Sequence, residues 1–262
     1  AALALTSGIS YICFIFWGDE TWDFEKILRV ATLSQNYPPG NGQFLSNPSL
    51  WTIPVEIEFY ILYPLAFCFF ARLKSFFIWI VAFGLCFTSI YLSNHGYNWL
   101  SFTAVFLWPS WLLGALVAQL YHDQNFKNYK LHYFIPIVAS SLGLGLLSRY
   151  QQWESWEQYL AWTTFYLFFF VFCLSKTNLL LKIMGKHLFD GISWVGKISF
   201  SLYLVHFPVF KLLGHLHLDF FGEKPANFLI PLLYLIPVIL LSWIFFKWVE
   251  YPIHQWSKKK SG

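Results

Sequence analysis

Trp51-Thr52-Ile53-Pro54-Val55-Glu56-Ile57-Glu58-Phe59-Tyr60-Ile61-Leu62-Tyr63-Pro64 sets two carboxylates at the head of a long apolar run. A charged side chain at the centre of a bilayer costs about 2.5–3.5 kcal/mol on insertion scales, so an acid there is a functional candidate by default. No Lys or Arg stands close in sequence to neutralise either one. Water, a partner helix or a substrate must stabilise them. On a helix Glu56, Tyr60 and Tyr63 share one face at i, i+4 and i+7. Glu58 points about 200° away from Glu56, so the two acids serve different neighbours. Pro54 suits the first turn, where its missing N–H does no harm. The plainer reading is that both acids sit at the aqueous interface and complement the positive helix N-terminus. Glu56, with tyrosines stacked below it, fits that reading less well.

The rest of the chain sets the context. It is 57% hydrophobic and 11% charged, with mean hydropathy +0.52, where soluble domains run near 25% charged. The apolar runs are long and continuous, which points to spanning helices and not to the alternating strands of a barrel. The aromatic share of 23% fits interfacial belts of Trp and Tyr. The expected fold is an all-α transmembrane bundle, one membrane domain over 1–262. Its eight spans fall at about 1–17, 54–71, 76–92, 104–121, 133–149, 158–175, 198–217 and 228–247. The long connection 18–53 opens with Asp19, Glu20, Asp23 and Glu25. It turns at Tyr37-Pro38-Pro39-Gly40-Asn41-Gly42, and it has room for a short helix near Glu25–Leu33.

Lys and Arg fix the orientation. One side collects Arg72, Lys74, Lys127, Lys130, Lys176, Lys182, Lys186, Lys197, Lys247 and Lys258–Lys260; the other collects Lys26, Arg29, Arg149 and Lys224. The richer side is assigned to the cytoplasm. The second span then runs inward, the 18–53 connection and the Glu56 mouth face outward, and both chain ends are cytoplasmic.

Two further segments carry polar groups. Gly196-Lys197-Ile198-Ser199-Phe200-Ser201-Leu202-Tyr203-Leu204-Val205-His206-Phe207-Pro208 places Ser199, Tyr203 and His206 at i, i+4 and i+7, a polar stripe on an apolar helix. His206 is either a packed residue bonded to a carbonyl or part of a substrate pocket. Pro208 leaves a carbonyl one turn back unbonded and open to a polar contact. Lys247-Trp248-Val249-Glu250-Tyr251-Pro252-Ile253-His254 ends the last span and reads as an interfacial anchor of Trp, Tyr and Lys. His215 and His217 diverge on a helix, so no metal pair is expected. Cys13, Cys68, Cys86 and Cys173 sit in apolar runs without CxxC spacing and read as buried hydrophobes. There is no P-loop, GxSxG or HExxH motif, and nucleic acid is not an expected partner.

In this order, the three segments resemble acyltransferase family 3, membrane proteins that O-acylate cell-surface sugars. The family's W-S-L-x-V-E-x-x-F-Y-x-x-x-P pattern is matched at Trp51, Val55, Glu56, Phe59, Tyr60 and Pro64. Its I-S-Y-S-L-Y-L-x-H-x-P pattern is matched at Ile198, Ser199, Ser201, Leu202, Tyr203, Leu204, His206 and Pro208, and its closing E-x-P at Glu250 and Pro252. Thr52 and Pro54 depart from it. The resemblance implies transfer of an acyl group from acyl-CoA to a hydroxyl of a surface polysaccharide or glycolipid, in a bacterial inner membrane. No bound cofactor is implied; acyl-CoA is the donor substrate, and membrane lipid and a carbohydrate acceptor are partners. Trp51, Glu56, Glu58, Tyr60, Ser199, Ser201, Tyr203 and His206 are its substrate-binding or supporting residues. The family has ten spans, and its first two helices, which carry its catalytic His, and an Arg pair that follows them precede the part matched here, so they are expected upstream of Ala1, no catalytic residue is assigned within the chain, and the chain alone is expected to be incomplete for catalysis. The competing class is a proton-coupled transporter or flippase, for which buried Glu and His also serve. The sequence lacks the inverted repeats that class often carries.

Overall fold

The computed structural model describes residues 1–19, 22–39, 47–70, 75–122, 131–225 and 227–261. Among them every regular element is helical. Helix α1 (Ala2–Trp17) is followed by α2 (Phe24–Ala31), the short helix expected in the long connection. After a 3-10 turn at Pro48–Trp51 comes α3 (Thr52–Phe70). Next in the chain are α4 (Ser75–Ser93), α5 (Ala104–His122), α6 (Leu131–Tyr150) and α7 (Ser155–Ser175). Short helices α8 (Thr177–Met184) and α9 (Lys186–Lys197) lead to α10 (Ser199–Phe221) and α11 (Leu229–Phe245). A π turn at Phe246–Glu250 joins α11 to α12 (Tyr251–Ser261). Glu20, Gly40–Gly42, Arg72, Lys74, Lys127 and Lys130, on which parts of the orientation and loop reading rest, lie outside the described residues.

All eight apolar runs are helical, but eight spans are not established. Asn98–His122, Ser155–Ser175 and Leu229–Lys259 are long and apolar enough to cross a membrane, and the bent pair α9–α10 makes a fourth.

The chain divides into two compact units, Tyr63–Ile192 and Ala1–Leu62 with Ser193–Gly262. In the first of these, α6 and α7 pair along their length and α5 lies against both α4 and α7. Gly145 permits the close approach of α6 to α7: a Cβ there would stand 3.2 Å from the Trp162 ring. The turn into α7 is fixed by a capping box between Glu154 and Glu157.

In the other unit α1 and α10 run side by side in the same direction. Ile9 and Cys13 pack on Val205 and Val209, and Val238 of the returning α11 closes this core. Gly18 ends α1 in the left-handed conformation, φ 66°, where only a residue without a Cβ sits without strain. The chain then folds back along α1 instead of moving away from it. Val30 and Leu50 pack with Leu204, and around them lie Ala2, Leu3, Ile53 and Tyr203.

The fold-back is pinned by Asn47, which is fully buried. Its Nδ2 donates to the Leu204 carbonyl at 2.7 Å and to Thr6 Oγ1 at 3.2 Å. Its Oδ1 accepts from the Ser49 N–H at 3.1 Å and caps the 3-10 turn. The Leu204 carbonyl needs this donor because Pro208, four residues on, has no N–H to offer it. The carbonyl freed by Pro208, anticipated from the sequence, is thus satisfied by a loop side chain. Gln35 and Asn36 hold the same strand of chain, donating to the Leu50 and Trp51 carbonyls at 2.9 and 2.7 Å.

Orphaning a buried polar group costs about 1–3 kcal/mol. Asn47→Ala is therefore expected to lower the thermal unfolding midpoint of the purified protein in detergent. In a Pro208→Ala background residue 208 supplies the missing N–H, so the further loss from Asn47→Ala is expected to shrink. An undiminished loss in that background would show that Asn47 is not serving the Leu204 carbonyl.

Candidate functional site

The start of α3 lands between α10 and the α11–α12 turn. A cleft of about 620 Å³ opens there, lined by Glu56, Tyr60, Phe200, Leu204, Glu250 and His254, among others. Apolar and aromatic walls come from the starts of α1, α3 and α10; the polar groups come from α3 and the chain after α11. Among the described residues, no Lys or Arg side chain lines it.

Glu250 reaches this cleft through the π turn. The Tyr251 N–H bonds the Phe246 carbonyl, one residue further back than in an α-helix. Pro252 has no N–H for the Trp248 carbonyl and would clash with it in a regular helix. The extra residue relieves that clash and rotates α12 by about 100° relative to α11. Glu250 Oε2 then accepts a hydrogen bond from the buried Ser201 hydroxyl at 2.5 Å. The Lys247–His254 segment is thus not only an interfacial anchor: it supplies a second carboxylate and a histidine.

The two acids of α3 do meet different neighbours. Glu58 accepts a hydrogen bond from the Tyr37 hydroxyl at 2.5 Å, holding the connection to the helix. Burial and the Glu58 carboxylate push the Tyr37 hydroxyl up to about 12, so it remains a donor throughout the neutral range. Trp51 is held through its backbone carbonyl by Asn36. Tyr63 belongs to the other unit, where its ring meets Trp111 edge-on.

Of the α10 stripe, Ser199 is exposed and Tyr203 packs with the fold-back core. His206 Nδ1 lies 2.8 Å from the Tyr203 carbonyl and 3.1 Å from that of Leu202. It donates there, the packed alternative for this residue, and it is not among the residues lining the cleft. Ser201, not Ser199, bonds a carboxylate of the cleft, through Glu250.

The placement of Glu56 corrects the sequence-based orientation, which puts Glu56 at an outward mouth and Glu250 at the cytoplasmic interface. The two line one cleft, together with Ala1, Phe200 and His254, because the 18–53 connection returns along α1.

At the far end of α1 lies a group that no sequence motif marks. Asp19 forms an ion pair with Lys211 and lies 3.3 Å from His215 Nε2. Trp17 stacks on His215 and donates to Asp219 at 2.6 Å. A lysine inside an expected span is the signal that could have found it.

Helical throughout its described residues, with three to four membrane-length segments and a carboxylate cleft drawn from separated motifs, the chain has the features of a polytopic membrane protein. Residues 2–247 match the acyltransferase domain of acyltransferase family 3, and the chain belongs to that family. No curated protein and no solved structure matches it.

A charge-assisted hydrogen bond is worth about 1.5–3 kcal/mol. Ser201→Ala and Glu250→Gln should each destabilise the protein, and the double variant should cost less than the sum of the two. Additive losses in the unfolding midpoints would contradict the Ser201–Glu250 bond.

Proposed function

We propose that the protein transfers an acyl group, acetyl being the simplest, from acyl-CoA to a hydroxyl of a glycolipid or surface polysaccharide, with the Glu56–Glu250 cleft receiving that hydroxyl. The observation that carries this reading is the pairing of two carboxylates with aromatic walls in a cleft free of Lys and Arg among the described residues. Ionised carboxylates accept hydrogen bonds from hydroxyl donors, and Tyr60 and Phe200 offer flat apolar faces to a sugar ring. The long apolar helices are proposed to lie in the plasma membrane. Lys247 and Lys258–Lys260 assign the Glu250 end to the cytoplasm, and Glu56 goes with it.

In membranes of cells producing the protein, transfer of radiolabelled acetyl from acetyl-CoA to glycolipid and polysaccharide tests this. Glu56→Gln is expected to lower transfer tenfold or more. Glu58→Gln, which loosens the Tyr37 anchor and does not line the cleft, should lower it in proportion to lost folded protein. The comparison is made in a chain that carries the family's catalytic His, expected upstream of Ala1, and equal losses per folded molecule there would overturn the assignment.

A further inference from the structure

A second cavity lies within the Tyr63–Ile192 unit, apart from the carboxylate cleft. It has a volume of about 530 Å³ and runs between α5 and α7, with Leu113, Gly114, Val117 and Ala118 on one side and Leu167 and Phe170 on the other. It is largely apolar, with a hydroxyl cluster at one end. There Ser110 hydrogen-bonds to the Tyr159 hydroxyl and to Thr163 Oγ1 at 3.0 Å. From Ser110 to Ala118 the helix rises about 12 Å, and from Thr163 to Leu174 about 16 Å. One leaflet of a bilayer holds hydrocarbon roughly 15 Å deep, half of about 30 Å. The cavity therefore has the length of one acyl chain and greasy walls along it, with the Ser110–Thr163 hydroxyls at one end and Tyr166 one turn further along α7.

We infer that this slot binds a single acyl chain, its carbonyl end hydrogen-bonded at the Ser110–Tyr159–Thr163 cluster and its hydrocarbon running along Gly114 and Phe170 toward Leu174. Ordinary boundary lipid has no need of a hydroxyl cluster at the end of its groove. A hydroxyl already engaged as acceptor still donates to a carbonyl oxygen. Gly114 keeps the slot open: a Cβ added there meets nothing within 4 Å, so a large side chain at 114 enters empty space without striking backbone. The inference does not depend on the acyl-transfer reading. The chain belongs either to an acyl-CoA or to a membrane lipid, and both present the same chemistry.

The test is photocrosslinking in nanodiscs with two probes, a palmitoyl-CoA and a phosphatidylcholine each carrying a diazirine in the acyl chain, with labelled residues located by mass spectrometry. Saturable labelling along Gly114–Ala118 and Leu167–Leu174 by either probe is expected, and the probe that labels identifies the source. Gly114→Phe should reduce it at least tenfold, while Ala115→Phe, outside the cavity, should not. Ser110→Ala with Thr163→Val should weaken saturable labelling without filling the slot, which guards against a misfolded Gly114→Phe. Non-saturable labelling spread over α5 and α7 and indifferent to these variants would overturn the inference. So would self-association of the protein through Gly114 and Ala118, a small-xxx-small pair of the kind that packs helices, with no acyl labelling.

Discussion

The hydrogen bond from Asn47 to the Leu204 carbonyl holds the site together. Pro208 creates the need for it by withholding an N–H in the middle of α10. Asn47 answers from the connection, which Val30 and Leu50 also pack against α10. Because the same amide also reaches Thr6 and caps the turn before α3, one side chain fixes α1, α10 and the start of α3 together. The position of Glu56 depends on that junction, since Ile53 and Leu50 pack into the adjoining core.

A second proline performs the corresponding task on α11. Pro252 is incompatible with a continued α-helix, and the π turn before it rotates Glu250 onto Ser201. All three motifs end in a proline, and at Pro208 and Pro252 the local role of that proline is to disturb a helix. Each disturbance is resolved by a contact with another motif or with the connection. The resulting cleft holds two carboxylates beside apolar walls, and their burden is shared: Glu250 has the Ser201 donor, while Glu58 is removed to the Tyr37 anchor.

Much of this is legible in the sequence. Continuous apolar runs mark each long helix, since 3.6-residue periodicity matters little when both faces are apolar. The angular separation of Glu56 and Glu58 implies different neighbours, and the freed carbonyl before Pro208 implies a polar partner. The identity of that partner is not legible: Asn47 lies 157 residues from Leu204, and no local rule spans that distance. The fold-back of the connection escapes notice for the same reason. Counting Lys and Arg assumes each connection stays on the side where its preceding span ends, and a connection that returns along its own helix breaks that assumption. Glu250 reads as an anchor because a π turn leaves only a weak local trace, here Pro252. His206 and Ser199 suggest a pocket by spacing alone, whereas packing chooses Ser201.

The central claim is that Glu56 and Glu250 share one cleft at one end of the unit. Single cysteines at Glu56 and at His254, in a protein otherwise freed of cysteine, can be exposed to a membrane-impermeant maleimide in sealed vesicles of known orientation. The structure predicts that both label from the same face, and that a cysteine at Gly222, beyond the other end of α10, labels from the opposite one. Labelling of the Glu56 position together with Gly222, and against His254, would contradict the account.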